Sequence, residues 1–160
     1  MPKFKILLLL VPMFVVVGCS DDSKYSEITG SSQERIAKIV KILHFADDKK
    51  TQLTTSILDA HLFQQRLGSG GGMGPTDYCD YYALKVAPTS IDMWQSNLQP
   101  FVLNVASNQP YSAPEQAKTW WLTQPKFSTL ALYDAFPLTR AHGWVGVLKT
   151  GDIYIKSCTT

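Results

Sequence analysis

The sequence predicts an α+β fold, an N-terminal helix pair packed on a small, mainly antiparallel sheet that ends in a β-hairpin, with one disulfide. Three observations predict it. Residues 33–67 carry apolar side chains at helical spacing. Residues 78–86 and much of 127–158 are aromatic-rich or alternate between apolar and polar, as strands do. Cys79 and Cys158 fall in the first and last of those predicted strands. A chain of 160 residues with 45% hydrophobic side chains is long enough for one domain with its own core.

The elements follow in order. Ser31 and Glu34 have the spacing of a capping box and open the first helix. Ile36, Ile39, Val40 and Leu43 form its apolar stripe, with Lys38 and Lys41 on the other side. Asp47-Asp48-Lys49-Lys50 marks a break. A second helix is expected over 51–67, carrying Leu53, Ile57, Leu58, Ala60, Leu62 and Leu67, with Gly68 as its C′ residue. Gly68 to Pro75 is a glycine-rich loop. It has no Lys and does not open a helix, so it is not a phosphate loop.

Tyr78 to Val86 reads as a strand and Ser90 as the cap of a short helix bearing Ile91, Trp94 and Leu98. Phe101 to Val105 fits either element. Pro114 and Glu115 predict the start of a helix that carries Trp120 and Trp121. Phe127 to Tyr133, Trp144 to Leu148 and Ile153 to Cys158 read as strands. Lys149-Thr150-Gly151-Asp152 is a hairpin loop, with Gly where a positive φ is needed.

The N-terminus carries a different signal. Lys3 and Lys5 precede an apolar run of 12 residues, Ile6 to Val17. That run is short of the roughly 20 residues a membrane span needs and has the length of a signal-peptide core. Val16-Val17-Gly18-Cys19 resembles the lipobox of bacterial lipoproteins. The resemblance covers only the first 20 or so residues. It implies cleavage after Gly18, a diacylglyceryl thioether on Cys19 and acylation of the new amino group. Several acyl chains on one residue anchor firmly, since each buried CH₂ contributes about 0.8 kcal/mol. Ser20, rather than Asp, follows Cys19, a pattern that resembles sorting to the outer membrane of Gram-negative bacteria, facing the periplasm. The domain plan is therefore a cleaved 1–18 segment, a polar tether over 19–32 and one globular periplasmic domain over 33–160. Fourteen tether residues give a reach of roughly 20 Å.

With Cys19 taken by lipid, Cys79 and Cys158 remain as a pair in an oxidising compartment, and a disulfide is expected. A catalytic Cys79 with a His partner is the competing reading. The strand-like setting Tyr78-Cys79-Asp80-Tyr81-Tyr82 argues against it. The net charge of +2, without a basic run, gives no reason to expect a nucleic-acid partner. No metal-ligand spacing and no Gly-x-Ser-x-Gly occur, so no metal, cofactor or catalytic residue is assigned.

Of the three histidines, His44 complements a helix C-terminus, His61 lies on the second predicted helix facing the first, and His142 sits with Arg140 in a loop. Trp120 and Trp121 are adjacent, and on a helix they point about 100° apart, so one is exposed unless the helix is deeply embedded. Trp120, Trp121, Arg140 and His142 are thus the candidate partner surface. The function expected is a lipid-anchored, non-enzymatic binding protein that holds or inhibits a protein partner, in the manner of immunity proteins or lysozyme inhibitors. An accessory subunit of an envelope machine is the alternative, and a cell-envelope enzyme the third reading.

Overall fold

The computed structural model describes residues 24–68, 77–101 and 111–159. Residues 1–18, expected to be a signal segment, Cys19 and the glycine-rich stretch 69–75 lie outside the described residues, as does most of 101–105. Six strands form one sheet: β1 (Tyr25–Glu27), β2 (Ile57–Leu67), β3 (Asp77–Val86), β4 (Ala131–Asp134), β5 (His142–Val147) and β6 (Asp152–Cys158). Its spatial order is β1-β2-β3-β6-β5-β4, and every neighbouring pair is antiparallel. The helices are α1 (Ser32–Ile42), α2 (Asp47–Thr55), α3 (Ile91–Ser96) and two single turns, α4 (Gln124–Phe127) and α5 (Phe136–Thr139).

The α+β class, the antiparallel sheet and the terminal hairpin agree with the sequence; the helix pair does not. The capping box is present: the Glu34 N–H donates to Ser31 Oγ, and Glu34 Oε2 accepts from the Ser31 N–H at 2.8 Å. The expected stripe is buried, with Ile39 and Leu43 in the core and Ile36 and Val40 packed against it. Asp47 and Asp48 do not merely break the chain. They form the first turn of α2, where acids favour the positive end of the helix. That helix stops at Thr55, and from Ile57 the chain is an 11-residue strand paired along its length with β3.

The physical reason is that both sheet faces are covered. Ala60 and Leu62 face one apolar cluster, Phe63 the other, so the strand lacks the clean alternation of a half-exposed one. A register shift between Ile57 and Asp59 further blurs the period and leaves Leu58 exposed. His61 therefore sits on a strand, not on a helix facing α1.

A second correction concerns 111–123. No helix carries Trp120 and Trp121; the segment is loop and turn laid across the sheet. The Glu115 N–H donates to Gln65 Oε1 at 3.1 Å, and Lys118 Nζ lies 2.7 Å from Glu27 Oε2. Ties to the sheet replace the intrahelical bonds that Pro114 and Glu115 suggested. Likewise only the end of the predicted 127–133 strand is extended, as β4, because α4 occupies 124–127.

The result is three layers. Helices α1, α2, α3 and α5 cover one sheet face over Ile57, Leu84, Val145 and Ile155. On the other face the 111–130 segment covers an aromatic cluster of Phe63, Tyr81, Trp121 and Trp144. Cys79 and Cys158 stand directly opposite one another on β3 and β6 with Cα atoms 4.1 Å apart, and they are bonded. At the β5–β6 hairpin Gly151 has φ 92°, and a Cβ there would come within 2.4 Å of the Val86 carbonyl oxygen, so only glycine fits.

Both sheet edges are largely covered. Beyond the three residues of β1, the Leu62, Ala60 and Leu58 carbonyls accept from the Ile28 N–H, Arg35 Nε and Ser32 Oγ. On β4 the Leu132 carbonyl accepts from the Phe101 N–H, and the Asp134 N–H donates to Gln99. These bonds leave little of either edge open to an added strand. Tyr25–Glu27 also places part of the stretch read as a tether inside the sheet.

Candidate functional site

Two of the hollows among the described residues lie on opposite sides of the sheet. The first opens among the helices and has a volume of about 260 Å³. Its floor is apolar: Leu53, Trp94, Leu98 and Leu138 are all buried. Trp94 is held by its indole N–H, which donates to Ser56 Oγ at 2.9 Å, and Phe45 packs edge-on against it at 6.0 Å. Every ionisable side chain lining this cavity is a base, namely His44, Lys49 and Arg140.

These three come from different places: the α1–α2 link, the first turns of α2 and the residue capping α5. The His44 N–H donates to the Leu138 carbonyl at 2.7 Å, which fixes the link against α5. Arg140 caps α5 with φ 60°, the left-handed region that favours glycine, and its N–H bonds the Phe136 carbonyl. Among the described residues no carboxylate lies within ion-pair distance of Arg140. Lys49 has only Asp48, at 3.9 Å.

The second hollow is on the aromatic side and is lined by Asp59, His61, Lys85, Trp120, Asp152 and Tyr154, among others. Here acids and bases are mixed, and each acid has a cationic partner. Asp59 pairs with Arg35, and Asp152 pairs with Lys85 at 3.0 Å. Burial opposes ionisation of Asp59, but hydrogen bonds from Ser32, Arg35 and the Ala60 N–H outweigh it and hold its carboxyl below the usual range. Asp152 is lowered in the same way, with bonds from Thr150 and Lys85 overcoming burial. His61 Nε2 lies 3.4 Å from Asp59 Oδ2, and its ring stacks on Trp120 at 5.2 Å.

The four candidate surface residues do not form one surface. Trp121 is buried and belongs to the aromatic core. Trp120 is half-buried against His61, with its N–H 3.3 Å from Glu27 Oε1. Arg140 and His142 are exposed, near the helix-side cavity, and Phe136 lies with them, 43% exposed and 5.8 Å from the His142 ring. Phe136 was not singled out in the sequence, where Ala-Phe-Pro-Leu gives no local sign that its aromatic ring is exposed. Among the described residues no cluster of three His, Cys, Asp or Glu is placed to hold a metal ion. Among them, too, no helix is long and apolar enough to cross a membrane.

The chain matches no family model, no curated protein and no solved structure.

The Asp80 carboxyl lies apart from both hollows. Asp80 Oδ1 accepts from Gln64 Nε2 at 2.9 Å and Oδ2 from the Tyr82 hydroxyl at 3.2 Å. Burial pushes its carboxyl above the usual range despite those bonds. The folded chain thus holds this proton more tightly than the unfolded one, and ionisation at neutral pH costs stability that returns as pH falls through the folded-state value. Asp80→Asn is expected to raise the urea midpoint at pH 7, with the gain over wild type shrinking on acidification. A gain that stays constant with pH would assign the effect to packing instead.

Proposed function

We propose that this chain is a lipid-anchored, non-enzymatic binding protein of the bacterial envelope that holds or inhibits a protein partner. The Val16-Val17-Gly18-Cys19 box supports anchoring. The Cys79–Cys158 disulfide fits an oxidising compartment such as the periplasm.

The observation that carries the partner reading is the cluster of Phe136, Arg140 and His142. An exposed ring and an arginine with no carboxylate partner among the described residues are of the aromatic and arginine types that anchor protein interfaces. With little of either sheet edge open, docking through these side chains is favoured over strand addition.

Crosslinking in intact cells tests this, with the full chain retrieved from membranes and its adducts read by mass spectrometry. One dominant secreted protein is expected, reduced at least tenfold by Phe136→Ala with Arg140→Ala. Cys19→Ser is expected to move the chain from the membrane to the soluble fraction. A set of machine subunits would support the accessory reading instead. An adduct indifferent to the double substitution would overturn the proposed surface.

A further inference from the structure

We infer that the helix-side cavity binds a small organic monocarboxylate with a compact aromatic or branched apolar body. The inference deepens the reading of a non-catalytic binding protein and rests on it.

Size sets the first limit. At about 260 Å³ the cavity lies just below the roughly 300–1,000 Å³ of pockets that hold drug-sized ligands, which leaves room for one ring and a short chain. The floor sets the second. Leu53, Leu98 and Leu138 offer only carbon, and Trp94 has its N–H engaged by Ser56, so its ring can contribute apolar surface. Away from the bases, a polar body would lose its water here and find only the Asn97 amide, whose Nδ2 already donates to the Met93 carbonyl at 2.7 Å.

The mouth sets the charge. Among the described residues no carboxylate pairs with the Arg140 guanidinium, and its planar fork matches a carboxylate in two parallel hydrogen bonds. Lys49 adds a second cation whose contact with Asp48 is long and exposed, a kind of pair worth little. His44 gives a third nitrogen-bearing side chain at the same opening. Asp47 and Asp48 are exposed nearby without lining the cavity, and they oppose ligands of higher negative charge. The opposite hollow lacks this imbalance: its Asp59 and Asp152 pair with Arg35 and Lys85, and its other lysine, Lys126, also lies in the field of Asp152.

The test is a titration of the full chain, purified in a non-ionic detergent, with 4-phenylbutyrate and separately with its uncharged amide, read by methyl NMR. Partition into protein-free micelles is subtracted. The acid is expected to shift the Leu53, Leu98 and Leu138 methyl signals saturably, and to bind at least tenfold more tightly than the amide. Lys49→Gln with Arg140→Gln should remove that preference while leaving the remaining spectrum dispersed. Phe136→Ala, at a residue outside the cavity lining, should leave the titration unchanged. No saturable shift, equal binding of acid and amide, or indifference to the double substitution would each overturn the inference. Because Phe136→Ala separates the two surfaces, a failed titration leaves the crosslinking result to stand or fall alone.

Discussion

Replacing Cys79 and Cys158 together with alanine is expected to cost about 4.5 kcal/mol, the loop-closure entropy of a cross-link across this separation. The bond spans 79 positions, nearly half the chain, and it ties β3 to the last strand. The ladder brings the two residues opposite one another in its own register, so the covalent link restrains the unfolded chain without forcing a new geometry. Urea unfolding of the variant should agree with that of wild type reduced with dithiothreitol. A loss below about 1 kcal/mol would mean that the unfolded chain keeps the β3–β6 contact without the bond.

Trp121→Ala is expected to lower stability by about 3–5 kcal/mol, the range for removing a large buried aromatic side chain. Its ring lies 5.2 Å from Tyr81, 5.6 Å from Tyr154 and 5.9 Å from Trp144, so one truncation empties the middle of the aromatic layer. Its buried N–H has no hydrogen-bond partner among the described residues. Trp121→Phe therefore gives up no hydrogen bond to the described residues and should retain most of the stability. Trp120→Ala removes the stack on His61, an edge contact with Trp121 at 6.1 Å and the bond to Glu27, all at a half-buried position, and is expected to cost less, about 1–2 kcal/mol. Equal losses at the two positions in chemical denaturation would contradict this division between a core ring and a peripheral one.

Local chemistry made part of the fold legible. Ser31 and Glu34 state a helix start in four residues, and Lys149 to Asp152 states a hairpin, because caps and turns are decided by neighbours in sequence. The disulfide followed from compartment and cysteine number rather than from pattern. The strand at Ile57–Leu67 was not legible as a strand. A period of two shows when one face is wet, and here Phe63 and Leu62 enter opposite cores. At 111–123, Pro114 and Glu115 give a true local preference that the sheet overrides through Gln65 and Glu27. The helix-side cavity was hidden for another reason. His44 and Lys49 are separated from Arg140 by some 90 positions, and only the docking of α5 against the α1–α2 link joins them.

The pairing of Tyr25–Glu27 with β2 bears on where the domain rests if Cys19 is its anchor. Only six peptide steps separate Cys19 from Tyr25. Even fully stretched they span no more than about 20 Å, since each residue adds at most about 3.3–3.6 Å. The domain would then be moored at one margin of its sheet, close to the headgroups and limited in how far it can tilt. A partner arriving along the bilayer would meet a narrow set of approach angles rather than a freely swinging target.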